Sequence, residues 1–180
     1  MKWMIASDIH GSAYWCRRLV EAFRQEKADR LLLLGDVLYH GPRNALPRDY
    51  APMEVAEMLN GLRDVTTSLR GNCEAEIDQM VLAFPSSAEY ALLDLGKAVV
   101  FATHGHVYNA EHLPPLREGD ILLHGHTHVP VCEAYDGWTL MNPGSVSIPK
   151  NGTPHSYMTV EDGIFLWKDL DGAVFLRFEL

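Results

Sequence analysis

The sequence predicts an α/β fold built on two sheets, and three observations lead there. Up to about residue 83, short apolar runs alternate with amphipathic stretches of helical period. Beyond it, the chain breaks into brief apolar runs joined by glycine-containing turns. Several apolar runs also end in Asp, Asn or His beside a glycine. A strand-helix-strand-helix-strand order implies right-handed crossovers and parallel strands, whereas runs joined by two-residue turns imply hairpins. A helical first half and a hairpin-rich second half fit two packed sheets with helices outside.

Taken in order, Trp3 to Ser7 reads as the first strand and Asp8-Ile9-His10-Gly11 as a loop, with Ser12 placed to cap the following helix. In that helix Trp15, Leu19 and Phe23 recur every fourth residue with Cys16 and Val20 beside them, while Arg17, Arg18, Glu21 and Arg24 fall largely outside. The stripe reads as core, and Cys16 within it as inert. Leu31-Leu32-Leu33-Leu34 reads as a strand buried on both faces. Gly35 then permits a tight turn that presents Asp36 at the strand's C-terminal edge, where open α/β sheets bind ligands. Val37 to Ala51 is a polar, proline-punctuated loop whose length suggests function. Pro52 starts the next helix, with Val55, Met58, Leu59 and Leu62 as its buried face.

Val65 to Leu69 is the third strand, followed by the Gly71-Asn72 turn and a short helix around Glu76 to Ala83. Tyr90 to Leu95 and Ala98 to Ala102 flank Gly96-Lys97 as a hairpin. Ile121 to Leu123 is an apolar run entering His124-Gly125-His126-Thr127-His128. Val129 to Tyr135 and Trp138 to Met141 flank Asp136-Gly137. Tyr157 to Val160, Ile164 to Trp167 and Val174 to Phe178 are separated by Asp162-Gly163 and Asp171-Gly172. No linker, repeat or low-complexity tract divides the chain, so residues 1–180 are expected to form one domain.

Composition narrows the function. With 180 residues, 47% of them hydrophobic, the chain can bury a sizeable core in water. A formal net charge of −9 argues against nonspecific grip on nucleic acid, and no basic, aromatic-interleaved strip is present. Nine histidines is a high count, and five of them (His104, His106, His124, His126, His128) fall in two short stretches. Three scattered cysteines, Cys16, Cys73 and Cys132, form no framework and fit a reducing compartment. The N-terminal apolar run is too short for a signal peptide, and no stretch approaches the ~20 apolar residues of a membrane span, so a cytoplasmic protein without membrane contact is expected.

The strand ends carry the chemistry: Asp8-Ile9-His10, Gly35-Asp36, Gly71-Asn72, His104-Gly105-His106 and Gly125-His126-Thr127-His128. Any one of these alone would be a helix cap or turn. Together they suggest a single converging metal site. Hydrolysis with two metals needs cations about 3.5–4 Å apart, and a carboxylate can bridge them with one oxygen facing each ion. Asp36 is the candidate bridge. Imidazoles and carboxylates suit Mn, Fe or Zn, and the absence of thiolate sets argues against a structural zinc site.

The order of these blocks, together with Leu34-Gly35-Asp36-Val37, His40-Gly41-Pro42-Arg43-Asn44, Arg70-Gly71-Asn72-Cys73 and Asn142-Pro143-Gly144-Ser145-Val146-Ser147, resembles the calcineurin-like metallophosphoesterase superfamily, and within it the small bacterial phosphodiesterases. The resemblance implies a four-layer α/β/β/α sandwich of two mixed sheets. It also implies two divalent ions, most simply Mn with Fe, Zn or Ni as alternatives. One ion would be held by Asp8, His10 and His128 and the other by Asn72, His104 and His126, with Asp36 shared. The activity implied is hydrolysis of a small or activated phosphodiester through a metal-bound hydroxide. The alternatives are a phosphomonoesterase of the same fold and a catalytically silent metal-binding scaffold. The presence of every expected ligand weighs against the scaffold.

Asn72, His104, Cys73 and His106 are the candidates closest to the chemistry, and Arg43 and His40 in the long loop are candidate substrate contacts. An arginine there can pair a phosphate bidentately. His124 reads as a strand-end residue, and His112 and His155 as surface residues. Many relatives in the superfamily carry a histidine after the asparagine, where this chain has Cys73. Without that imidazole a poor leaving group lacks a proton donor, which favours activated diesters and disfavours monoesters. Glu74 either orients a neighbour or starts a helix. The expected partner is a small-molecule diester, with no nucleic acid, and Trp138 with the late strands is the candidate face for a homo-oligomer.

Overall fold

The four leucines alternate between two cores, which sets the layering of the molecule. In the computed structural model, which describes residues 1–180, Leu31 and Leu33 point into one buried cluster while Leu32 and Leu34 point into another. The first cluster lies between a sheet and helices α1 (Ala13–Glu26) and α2 (Pro52–Asn60). The second lies between the two sheets. Burying a leucine fully stabilises the fold by about 1.5–3 kcal/mol, so a one-residue slip of this strand would exchange every core contact it makes.

That strand, β2 (Arg30–Leu33), lies between β1 (Trp3–Ala6) and β3 (Thr66–Ser68), parallel to both. The second half of the chain first builds the other sheet. Strands β4 (Tyr90–Asp94), β5 (Val99–Thr103), β6 (Asp120–Leu123), β7 (Val131–Tyr135) and β8 (Trp138–Asn142) stand in the order β4-β5-β6-β8-β7, with β5, β6 and β8 parallel. The chain then returns to the first sheet as an antiparallel meander of β9 (Ser156–Glu161), β10 (Ile164–Asp169) and β11 (Val174–Glu179), and β9 pairs with β1. The first sheet is thus ordered β11-β10-β9-β1-β2-β3.

Local signals act as the residue types dictate. Ser12 caps α1 by accepting the Trp15 amide at 3.3 Å. Pro52 occupies the first turn of α2. Cys16 is fully buried, and burial pushes its thiol up to about 12, so it packs and does not react. Two expectations need correction. The stretch after Asn72 is only a 3₁₀ turn over Glu76–Met80. The outer face of the second sheet carries no helix: Tyr108 and Leu116, from the irregular chain between β5 and β6, pack instead on Phe101, Leu122 and Leu140. The mixed two-sheet sandwich is as expected, but its fourth layer is irregular. No helix is long and apolar enough to cross a membrane.

Candidate metal centre

Parallel strands in both sheets end at the same side of the sandwich, and their next residues converge. Asp8 and His10 follow β1, Asp36 follows β2, Asn72 follows β3, His104 follows β5, and His126 and His128 follow β6. Asp8, His10, Asp36, His126 and His128 all have positive φ, between 50° and 63°. Left-handed backbone is unfavourable for a residue with a Cβ and gathers at functional sites. Five such residues at one spot therefore mark a place where the chain is bent to aim side chains. The sheets meet closely here. A Cβ on Gly125 would run into the Ser7 side chain and come within 2.8 Å of Asp8 Oδ2, so only glycine fits.

Three donor groups form. Asp8, His10 and His128 make the first, Asp36, His104 and His126 the second, and Cys73 comes within reach of His10 and Asp36 in a third. In the first, Asp8 Oδ1 lies 3.3 Å from His128 Nε2 and 3.6 Å from His10 Nε2, and the two Nε2 atoms are 3.3 Å apart. In the second, His104 Nε2 is 3.2 Å from His126 Nδ1 and 3.1 Å from Asn72 Oδ1. Asp36 Oδ2 joins them, 3.7 Å from His10 Nε2 and 3.5 Å from His104 Nε2. Its other oxygen, Oδ1, accepts the Cys73 amide at 2.9 Å. Oδ2 therefore faces both of the first two groups, while Oδ1 also holds the turn at Cys73.

The tautomers follow from the backbone. His10, His104 and His128 donate Nδ1–H to the carbonyls of Tyr39, Leu34 and Ile148 at 2.8, 2.8 and 2.7 Å. A carbonyl only accepts, so each neutral ring turns an Nε2 lone pair inward. These lone pairs meet carboxylate oxygens, and Asp8 Oδ1 is buried with no hydrogen-bond partner at all. Acceptors that face only acceptors need a proton or a metal cation between them.

The electrostatics divide the donors. Burial alone would raise the Asp8 and Asp36 carboxyls, but their histidine neighbours hold both below the usual range. Burial would lower His104, yet its hydrogen bond to Asp36 and the charges of Asp8 and Asp36 raise it to about 9. The same opposition, led by Asp8, raises His10. Burial, joined by the charge on His104, pushes His126 down to about 4, and burial pushes His128 down as well.

A supporting ring holds these donors. Glu74 accepts the amides of Asp36 at 3.0 Å and Val37 at 2.7 Å, and also that of Gly71. It clamps the Asp36 turn to the Asn72 turn and starts no helix. Burial and the Asp36 charge push its carboxyl up to about 6, against those amide bonds. The strand end after β8 was legible only as part of a motif. Asn142 donates to the Gly125 carbonyl at 2.7 Å and to Thr127 Oγ1 at 3.0 Å. Ser145 and Ser147 donate to the Asp8 carbonyl at 2.9 and 3.0 Å. Reading the sequence for acidic and imidazole donors passed over all three, although small hydroxyl residues clustered after a strand are the signal for such a brace.

Above the donors opens a cavity of about 500 Å³, walled by Arg43, Asn44, Cys73, Thr127 and Lys150 among others. Arg43 is placed there as expected, and Lys150 and Thr127 are additions. His40 is not brought to the site: its ring packs edge-on against Tyr39 and Tyr50. Cys73 is half-buried, and burial together with the Asp36 charge pushes its thiol up. His106 is exposed, its ring 5.3 Å from that of His104, and it lines a second cavity of about 360 Å³. His124 is buried with Nδ1 on the Gly125 carbonyl, as a strand-end residue should be, and His112 is on the surface. His155 departs from expectation, since it is half-buried and stacks on Trp15 at 3.5 Å.

Comparison with known proteins gives the chain's relations. Residues 1–162 match the profile of the calcineurin-like phosphoesterase superfamily domain. The chain is 50% identical over 164 residues to phosphodiesterase YfcE of Escherichia coli strain K12, covering 91% of this chain and 89% of that protein. The solved structure of an Escherichia coli phosphoesterase, Yfce, superposes with a TM-score of 0.96 at 46% identity, covering 99% of each chain. A Vps29 from Entamoeba histolytica shares the fold alone, at TM-score 0.62 and 18% identity over 100% of this chain and 99% of that one.

Proposed function

The chain belongs to the calcineurin-like phosphoesterase superfamily, and from that premise we propose that it is a metal-dependent phosphodiesterase acting on a small or activated diester. The observation that carries this reading is the converging set of acceptors around Asp36 Oδ2, with the orphaned Asp8 Oδ1 at its base. Asp8, His10 and His128 would hold one divalent ion and Asn72, His104 and His126 a second, with Asp36 available to both. Such a pair supplies Lewis-acid charge against a phosphoryl group and eases deprotonation of water. The diester name of the 50%-identical Escherichia coli protein supports the substrate class. Mn is the first choice for both sites, with Fe, Zn and Ni as alternatives, because the two groups named are all N and O donors, and Cys73, which lies near His10 and Asp36, is held as a thiol.

The protein's own residues then do four things. The Cys73 amide and the Glu74 clamp fix Asp36. The Leu34 carbonyl fixes the His104 ring and the lone pair it presents. Arg43 contacts the substrate from the cavity wall, and His106 contacts an ester arm beyond His126. Cys73 offers only a thiol, which is a weak donor, so leaving groups that need little protonation depart best. That absence also disfavours a phosphomonoesterase. The chain works as a single domain in the cytoplasm, with no nucleic-acid or membrane partner.

A metal-by-substrate panel tests the reading. Mn-loaded protein is expected to hydrolyse bis(4-nitrophenyl) phosphate at least about tenfold faster than 4-nitrophenyl phosphate, and to lose both activities in chelator. A preference for the monoester, or hydrolysis independent of added metal, would overturn it.

A further inference from the structure

The chain is acidic, with net charge −9, yet the wall of its larger cavity is basic. Arg43, from the loop after β2, and Lys150, from the loop after β8, both line it, and Asp36 at its floor is the only acidic residue that does. Of the fifteen lysines and arginines, six hold ion pairs (Lys2, Arg17, Arg18, Arg63, Lys168 and Arg177), and of the other nine only Arg43 and Lys150 line this cavity. Arg43 and Lys150 have no acidic partner and no hydrogen bond to another residue's side chain. Two unpaired cations brought from separate loops to one polar cavity form a site for an anion.

The second cavity, across His126 and Thr127, has the opposite character. It holds Glu111, Leu140 and Val131 and no lysine or arginine. His126 and Thr127 line both cavities, so a phosphodiester seated on the donors between them extends one arm into each. An anionic arm is attracted to the first and repelled by Glu111 in the second.

Resting on the diesterase reading above, we propose that the substrate is an asymmetric diester whose one arm carries a second anionic group, best a phosphate, held by Arg43 and Lys150, while its uncharged arm lies toward His106 and Asn109. A phosphate suits the pair because Arg offers a planar fork and Lys a point charge, and a dianion engages both. A carboxylate is the weaker form of the same chemistry.

Three mixed diesters of 4-nitrophenol test this, their second arm being 2-hydroxyethyl, 2-carboxyethyl or 2-phosphoethyl. All share the leaving group and the scissile phosphate. Mn-loaded wild type is expected to favour the phosphate-ended diester over the hydroxyl-ended one by about 10-fold in kcat/KM, with the carboxylate between, and the gap should shrink as salt rises. The Arg43→Met/Lys150→Met double variant should lose the gap, its kcat/KM falling at least about fivefold more on the phosphate-ended diester than on the hydroxyl-ended one. Equal rates on all three arms in wild type would overturn the proposal. So would an equal loss on all three in the variant, since the cations would then serve the scissile phosphate. Calorimetric titration of the Mn-loaded protein with ethylene glycol bisphosphate and with hydroxyethyl phosphate separates this from the catalytic reading. The affinity gap and its loss in the double variant support the anion site even where no diester turns over, and the absence of a gap overturns it.

Discussion

The floor and the wall of the same cavity are built in opposite ways. On the floor three of the four histidine donors are aimed by a second bond, from His10, His104 and His128 to the carbonyls of Tyr39, Leu34 and Ile148, and Glu74 and Cys73 hold the Asp36 turn. On the wall, Arg43 and Lys150 are exposed and held by nothing. The difference separates two tasks. Charge placement needs donors fixed before a cation arrives, since misaimed ligands weaken a site. Choosing among substrates needs side chains that can follow an arm, and exposed loops supply these without disturbing the floor.

The comparison breaks most completely at Asp36. Asp36→Asn keeps the shape and tolerates the left-handed backbone, and its amide oxygen can still accept the Cys73 N–H. It removes the charge that two cations share. Turnover should fall by at least about 10³-fold with circular dichroism unchanged. A variant that retains two metals per chain and the wild-type rate would remove Asp36 from the bridging position.

Cys73 stands where floor meets wall, and Cys73→His should give the leaving group a proton donor. A positioned general acid contributes about 10²–10⁴-fold at best, so the gain should be largest for diesters of poor leaving groups and small for nitrophenyl diesters. The loop above is close, since a Cβ on Gly41 would lie 3.1 Å from Cys73 Sγ, and the imidazole must therefore turn into the cavity. Rates across a leaving-group series decide: a uniform change in all of them would mean that Cys73 does not set the selectivity.

Glu74 tests whether a residue that touches no cation matters to the floor. Glu74→Gln replaces a carboxylate that accepts three backbone amides with a group whose NH₂ faces donors. Loss of such support costs about 10–100-fold in metal affinity or activity. Mn binding by calorimetry should weaken, while unfolding shifts little in the metal-free protein. Unchanged Mn affinity would leave Glu74 with no positioning role.

The smallest expected effect lies outside the cavity and should leave catalysis alone. Glu26, at the end of α1, accepts Lys168 Nζ at 2.6 Å, Tyr157 Oη at 2.9 Å and Lys2 Nζ, tying the helix to the first sheet. Burial would raise its carboxyl, but these three bonds lower it. A carboxyl lowered on folding adds stability above its unfolded pKa, and that share is lost as pH falls through the folded one. Glu26→Gln should cost about 1–3 kcal/mol at pH 7, or roughly 2–12 °C in Tm, with the gap closing below about pH 4. A Tm gap that persists unchanged to pH 3 would contradict the assignment.

How much of this was legible follows from what each residue needs. Leu31 to Leu34 declared a doubly buried strand because no other element buries four leucines in a row, and the donor types at the strand ends declared a metal site through their joint order. The Cys73 amide bond to Asp36 Oδ1 was not legible, because it depends on how the Asn72 turn folds back on the Asp36 turn. Lys150 was missed because an exposed lysine looks like any other until the fold sets it in the same cavity as Arg43. His40 failed for the converse reason, since its neighbours in sequence point to the cavity while its own ring packs between two tyrosines. The irregular fourth layer had no signal of its own either, since no element was read between the Ala98 to Ala102 and Ile121 to Leu123 runs.

The central claim is that the floor holds two divalent ions and that both are needed. The direct measurement strips the protein with chelator and titrates Mn²⁺ back while following bound metal per chain and hydrolysis of bis(4-nitrophenyl) phosphate together. The account predicts no turnover in the stripped protein, two ions bound per chain at saturation, and a rate that rises only as the second site fills. A rate that is already maximal at one ion per chain, or that survives chelation, would contradict it.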